Sequence, residues 1–249
     1  MRTDVVLTVS EGKRLIAKGV AKLDFLQRAL GNGMVAICKG TTNSYVVEEV
    51  LGRKIERTKY CTGTTWPAKS DRAGKVSNAL PDVVLRNGRP LEGMTTVKSV
   101  AEMKEGDVFI KGANALNYRE RVAGILIGDR TGGTIGATWG YIVARRIRLI
   151  IPVSLEKDVP FDISAAATRI NTCEDKATGP ALFPVTGDII TEIEALRILT
   201  GAEAFPIAAG GIGGAEGSVR LCVMGTREQL AAANKLFDAI YGEPPFIAA

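Results

Sequence analysis

The 249-residue chain contains no histidine. That absence removes the commonest general acid and base, and with it every Ser–His or Cys–His nucleophile arrangement. Any catalysis falls to Asp, Glu, Lys, Cys or Tyr. A zinc or haem site also has little to work with. The four cysteines, Cys38, Cys61, Cys173 and Cys222, stand far apart and form no CxxC pair. No metal and no cofactor are expected. Cys38 and Cys222 lie inside apolar runs and read as small buried hydrophobes. No apolar run is long enough to span a bilayer, and no signal-peptide pattern opens the chain. The expected setting is soluble, reducing and cytoplasmic, with no membrane partner. A basic stripe is missing too. The net charge is +5, and Lys and Arg are spread out except at Arg145, Arg146 and Arg148, so nucleic acid is not an expected partner. There is no internal repeat and no low-complexity segment.

What is present is a 46% hydrophobic composition, enough for a large core, and 28 glycines clustered between periodic segments. The stretch Gly33–Gly52 organises the rest. Met34–Cys38 is a short apolar run suited to a buried strand. Lys39, Gly40, Thr41 and Thr42 break it. From Asn43 the residues Tyr45, Val46, Val47, Val50 and Leu51 recur at helical spacing until Gly52. A helix that follows a parallel strand directs its free N–H groups and positive dipole end at the connecting loop, which makes an anion site.

Before this stretch, Ser10 is an expected helix cap, and Leu15, Ile16, Val20, Leu23, Leu26 and Leu30 mark one face of a single long helix ending at Gly31. After it, Ile55–Tyr60 reads as a strand, Cys61–Pro67 as a small polar loop and Ser70–Lys75 as exposed and charged. Val83–Arg86 and Thr95–Val97 read as short strands around an Asn87-Gly88 turn, with one helical turn at Ser99–Met103. Strands at Asp107–Ile110, Ala123–Ile127 and Arg148–Val153, with a helix at Ala137–Arg145, give a doubly wound parallel sheet over residues 1–155. Residues 156–249 read as a β-α-β-β-α-β, ferredoxin-like α+β unit. Its strands are near Phe183–Val185, Phe205–Ala209, Val219–Met224 and Phe246. Its helices open on the capping boxes Thr191/Glu194 and Thr226/Gln229. The glycine-rich Gly210–Gly217 is followed by a strand-like run and so reads as a hairpin loop, not a dinucleotide fingerprint.

The order of these loops resembles ribose-5-phosphate isomerase type A, which belongs with the glucosamine-6-phosphate deaminases and coenzyme A transferases. The likeness rests on a helix, a strand ending in a Gly-Thr loop, a later strand ending in a Gly-Ala loop, and a glycine-rich loop opening a helix. The segment Ala144–Lys157 looks like that family's helix and strand leading to an acidic, lysine-ended segment. The resemblance implies a Rossmann-like domain, a small ferredoxin-like domain and a phosphate-binding loop at Lys39–Thr42. The family's carboxylate-bearing DGADE loop stands here as Lys111-Gly112-Ala113-Asn114-Ala115. Its lysine in a glycine loop falls on Thr131, and its catalytic glutamate falls on Gly140. Isomerisation needs a carboxylate to move a proton between neighbouring carbons, and here that base is replaced. The resemblance therefore implies the fold without the activity.

The expected function is binding of a small anionic, phosphorylated metabolite. Lys39, Gly40, Thr41, Thr42 and Asn43 form one loop, Lys111, Gly112 and Asn114 a second, and Arg130, Thr131, Gly132, Gly133 and Thr134 a third. Consecutive glycine amides make an anion nest, and Arg130 adds a bidentate donor. Two other readings remain. One is a sugar-phosphate isomerase with a relocated acid/base at Glu156 or Asp129. The other is an assembly or regulatory module with a vestigial cleft. By analogy the C-terminal unit is expected to mediate a homo-oligomer.

Overall fold

Three apolar runs set the centre of the molecule. Met34–Ile37 (β2), Val108–Ile110 (β5) and Arg148–Pro152 (β8) are almost entirely buried, as strands covered on both faces are. They pair in parallel, and Asp188–Ile190 (β10) adds to β8, also in parallel. On the other side of β2, Val83–Arg86 (β3) and Arg89–Pro90 (β4) pair antiparallel, giving the order β10-β8-β5-β2-β3-β4. The chain is therefore an α/β protein built on a mixed six-stranded sheet. The computed structural model describes residues 1–63, 65–66, 68–69, 75–173 and 179–247.

Two smaller antiparallel sheets complete it. Arg2–Leu7 (β1) and Glu203–Ala209 (β11) flank Val219–Met224 (β12). Ala115–Asn117 (β6) and Ala181–Val185 (β9) flank Val122–Ile127 (β7). Each of the three sheets takes strands from both sides of residue 155, so the two expected units interleave. The expected four-stranded ferredoxin-like sheet is instead a three-stranded one completed by the first strand of the chain. Phe183–Val185 belongs to β9 and pairs with β7, and Phe246 forms no strand. The expected strand at Ala123–Ile127 exists as β7 but leaves the parallel sheet, because Arg121, at φ 57°, turns the chain back into a hairpin with β6.

Helices cover this framework. Val9–Ala21 (α1) is capped by Thr8, not by the expected Ser10. The Thr8 amide donates to Glu11 Oε2 at 2.8 Å and the Glu11 amide donates to Thr8 Oγ1 at 3.4 Å, a closed capping box. The expected single helix is two. Leu23 takes an extended conformation, and Asp24 restarts the chain as Asp24–Asn32 (α2), with its carboxylate at the positive end. α1 packs against Thr41–Leu51 (α3) and Glu192–Thr200 (α7). Gly19 permits the second contact: a Cβ there would lie 2.6 Å from the Ala195 Cβ. The expected boxes Thr191/Glu194 and Thr226/Gln229 do open α7 and Arg227–Ile240 (α8).

The remaining helices are Thr96–Ser99 (α4), Gly133–Ala144 (α5) and Ile163–Asn171 (α6). α4 replaces the expected strand at Thr95–Val97, because the Thr96 amide and hydroxyl are both held by Asp82 Oδ2 and Thr95 caps a helical turn. The expected strand at Ile55–Tyr60 is a 3-10 turn, Arg57–Lys59. Of the charged stretch Ser70–Lys75, residues 70–74 lie outside the described residues, as do Thr64 and Pro67 of the preceding loop. Among the described residues no helix is long and apolar enough to cross a membrane.

Candidate functional site

The loops that leave β2, β5 and β8 at their carboxyl ends surround a cavity of about 520 Å³. This is where open α/β sheets place ligands, because parallel strands aim successive loops at one edge. Lys39, Gly40, Thr41, Thr42 and Asn43 line it from the first loop. Lys111, Gly112, Ala113 and Asn114 line it from the second, and Glu156 and Lys157 from the third. Cys61, Trp66 and Phe246 supply part of the remaining wall.

The first loop ends in an open helix start. Gly40 precedes α3 in an extended conformation, and no side chain caps the helix. The first amides of α3 therefore lack intrahelical acceptors, and the helix dipole places positive potential at them. The Thr41 and Thr42 side chains stand at this point. Asn43 is fully buried and bridges two strand ends: its Nδ2 donates to Cys38 O at 2.8 Å and Ile110 O at 3.4 Å. That leaves Asn43 Oδ1 buried with no hydrogen-bond partner. A buried acceptor without a donor is unfavourable by about 1–3 kcal/mol.

The cations of the cavity fall into two kinds. Lys39 is neutralised: its Nζ donates to Asn78 O at 2.8 Å and lies 3.3 Å from Asp82 Oδ1. Lys13 takes Glu156, at 3.2 Å. Lys111 and Lys157 have no carboxylate within ion-pair distance among the described residues. Lys111 donates only to Gly112 O, at a long 3.4 Å, and Lys157 donates to Ala113 O at 2.9 Å. Both therefore face the same short turn. Desolvation lowers the pKa of Lys111. Desolvation also lowers that of Lys157 to about 8, helped by the nearby Lys13 and Lys111 charges and opposed by Glu156.

The walls are less reactive. Burial pushes the Cys38 thiol up to about 12 and the Cys61 thiol up to about 11, so neither is a thiolate at neutral pH. Tyr60 donates to Ile37 O at 2.5 Å and accepts from the Val83 amide at 3.2 Å, which fixes the chain beside β2. Phe246 lies 6.4 Å from the Tyr45 ring. The Phe246 segment is held by Glu243, which binds Arg14 Nε at 2.9 Å and Arg57 Nη1 at 2.5 Å. Arg14 also binds Glu48 at 2.5 Å and Glu49 at 2.9 Å. The two glutamates of α3 are thus structural anchors.

The third expected loop is elsewhere. Arg130, Thr131, Gly132, Gly133 and Thr134 do not line the cavity. Their nest is filled from within: Asp129 Oδ1 accepts from the Thr131 hydroxyl at 2.6 Å, the Thr131 amide at 2.8 Å and the Gly133 amide at 3.3 Å. These bonds, the Thr131 hydroxyl first, hold the Asp129 carboxyl below its usual pKa. Asn114 reaches the cavity, but its Oδ1 accepts from the Leu126 amide at 3.0 Å and so ties the second loop to β7. Gly217 at the foot of the β11–β12 loop comes close to Val9 and Glu156, so that loop folds against the cavity side of α1.

A second concavity, about 690 Å³, lies at the opposite, amino ends of the strands, lined by Phe25, Arg28, Lys104, Asp107, Arg146 and Arg148 among others. Its central groups are already engaged. Arg148 pairs with Asp188 at 2.6 Å and stacks 3.4 Å over the Phe25 ring. Asp107 accepts from the Met34 and Lys104 amides, each at 2.7 Å.

Trp66 and Phe246 are cavity residues that the motif reading missed, and Lys157, which from sequence reads with Glu156 as a surface salt-bridge pair at this edge of the sheet, instead lines the cavity while Glu156 pairs with Lys13. Their only signal was position. Lys157 follows a buried strand by five residues, whereas Phe246 is brought in from the far end of the chain. Among the described residues no cluster of three or more Cys, Asp or Glu is placed to hold a metal. Comparison with family models, curated proteins and solved structures finds no match for this chain.

Proposed function

We propose that the chain binds a small anionic metabolite, phosphorylated, in the cavity at the carboxyl ends of β2, β5 and β8. One observation carries this reading. Lys111 and Lys157 sit together on the cavity wall with no carboxylate partner among the described residues, beside the uncapped start of α3. Two partly desolvated ammonium groups side by side repel each other, and a bound dianion relieves that repulsion. The amides of α3 and the Thr41 and Thr42 side chains offer the matching donors. The parallel run β10-β8-β5-β2 with a cleft at its carboxyl edge supports the Rossmann-like half of the expected architecture. The open cavity, with lysines, threonines and asparagines in its wall, favours ligand binding over an assembly module with a filled cleft.

The isomerase-like alternative narrows to one carboxylate. Glu156 lines the cavity, whereas Asp129 caps α5. The test of binding is thermal shift against inorganic phosphate, sugar phosphates, nucleotides and coenzyme A esters, with Lys111→Ala beside the native chain. A ligand specific for the folded state raises Tm by mass action, about 2.7 kcal/mol at a hundredfold excess over Kd. The expected result is a shift with one phosphorylated class in the native chain that Lys111→Ala loses. No shift with any anion sinks the reading.

A further inference from the structure

We infer that Lys111 is a nucleophile, condensing with the carbonyl of a small phosphorylated aldehyde or ketone to give an imine, with Lys157 as its cationic neighbour. The inference rests on the anion-binding reading and adds a reaction to it.

The argument starts from position. β2 and β5 are adjacent parallel strands, so their carboxyl ends lie about 4.8 Å apart. The start of α3 is at one end and Lys111 at the next. Thr41, Thr42 and Lys111 line the same cavity, so a small phosphorylated carbonyl compound that sets its phosphate at the α3 amides shares that space with the Lys111 amine. Lys111 is also the amine least held in place. Its one hydrogen bond is the 3.4 Å contact to Gly112 O, whereas Lys157 is fixed at 2.9 Å to Ala113 O. The other nucleophiles are disabled: the Cys38 and Cys61 thiols are protonated, and Glu156 pairs with Lys13. A lysine becomes nucleophilic when desolvated, and Lys111 is desolvated on the cavity wall. Groups acting on the pair are Cys38 at Lys111, and Lys13, Glu156, Lys111 and Glu192 at Lys157.

The step balances without an oxidant or reductant. The free-amine lone pair of Lys111 attacks the carbonyl carbon, a C–N bond forms, and the carbonyl π pair moves to oxygen. That oxygen takes a proton from the Lys157 ammonium. The carbinolamine then loses its hydroxyl together with one of the two protons on Nζ as water, leaving a protonated C=N bond to Nζ and Lys157 as the free amine.

Reductive trapping tests this on the full chain. The protein is incubated with dihydroxyacetone phosphate and sodium cyanoborohydride, and the modified lysines are mapped by peptide mass spectrometry. The expected adduct is at Lys111, well above the exposed Lys22 and Lys98, because only the cavity brings the phosphorylated carbonyl compound to a lysine. Excess inorganic phosphate suppresses it, and unphosphorylated dihydroxyacetone gives much less. Lys157→Met keeps the adduct at Lys111 but slows it, and Lys111→Met loses it. Mapping on the native chain decides the matter even if Lys111→Met fails to fold. An adduct at Lys157, or spread evenly over surface lysines, overturns the assignment. No adduct while phosphate still raises Tm overturns the imine and leaves the binding reading intact. No adduct and no phosphate shift overturns both.

Discussion

Two clusters of shielded cations border the same helix, α3, with opposite surroundings. On one side the Arg14 guanidinium, 4% exposed, meets Glu48, Glu49 and Glu243, and Arg57 shares Glu243. Tyr45 lies between the two guanidiniums, with its ring centroid 4.7 Å from Arg14 and 4.2 Å from Arg57. Each N–H fork has an acceptor. This arrangement holds α1, α3 and the Glu243–Phe246 segment together. On the other side Lys111 and Lys157 have backbone carbonyls and no carboxylate among the described residues. The difference teaches how to separate a structural charge from a functional one. Desolvating a charge is unfavourable unless it is paired. A cluster that satisfies itself is part of the scaffold, while one left unpaired beside open space is organised for something that arrives later.

The largest expected effect breaks the satisfied cluster. Arg14→Met leaves Glu48 and Glu243 shielded without their main partner and is expected to lose about 3–5 kcal/mol of stability. Urea denaturation measures it. A loss below about 1 kcal/mol would mean that the carboxylates are not held as described.

The second prediction uses opposite pH signs. Glu243 is held at about 2, below its ordinary value of 4.5, by its arginine partners against the opposing effect of burial. Its stabilisation is therefore full above about 4.5 and is lost as pH falls towards 2. Lys157 is lowered from 10.5 to about 8 by burial. The unfolded state binds the extra proton between these values, so the unliganded protein gains stability as pH rises from about 8 to 10.5. The proposed phosphate binding is expected to run the other way and to weaken as Lys157 loses its charge. Phosphate-induced Tm shifts at pH 7 and pH 9.5 test this, and a larger shift at pH 9.5 contradicts it.

Smaller in stability is Lys111→Met. Removing an unpaired desolvated ammonium is expected to change the unfolding free energy by under about 1 kcal/mol, or to raise it, while abolishing the phosphate shift. A loss as large as that of Arg14→Met would place Lys111 in the scaffold and end the contrast. The smallest effect is expected at the loop the cavity does not use. Asp129→Asn weakens the cap of α5 and lowers Tm slightly, and the phosphate response is unchanged. A lost response would bring the Arg130–Thr134 loop back into the site.

The local half of this structure was legible in the residues. The strand–loop–helix unit from Met34 to Leu51 is visible because four apolar residues, a Gly-Thr break and a 3.6-residue stripe are short-range signals. The capping boxes of α7 and α8 are legible for the same reason. Lys39–Asn43 and Lys111–Asn114 could be named because each follows a buried apolar run. Arg130–Thr134 has the same look, a glycine loop after a strand, yet β7 runs in another sheet. Nothing local distinguishes a strand that joins the parallel sheet from one that turns back through Arg121.

The sequence by itself determined the chemistry on offer. With no histidine and only well-separated cysteines, Asp, Glu, Lys, Cys or Tyr must do whatever work is done. It also determined the strand–loop–helix unit at Met34–Leu51 and the capped starts of α7 and α8, because those depend on neighbours a few residues apart. Tertiary structure decided the pairings. It set β1 beside β12 and β10 beside β8, and brought Lys111, Lys157 and Phe246 around one cavity. It gave Arg14 its glutamates and left Lys111 without one. Pairing depends on which surfaces meet across long sequence separations, and no window of the sequence carries that.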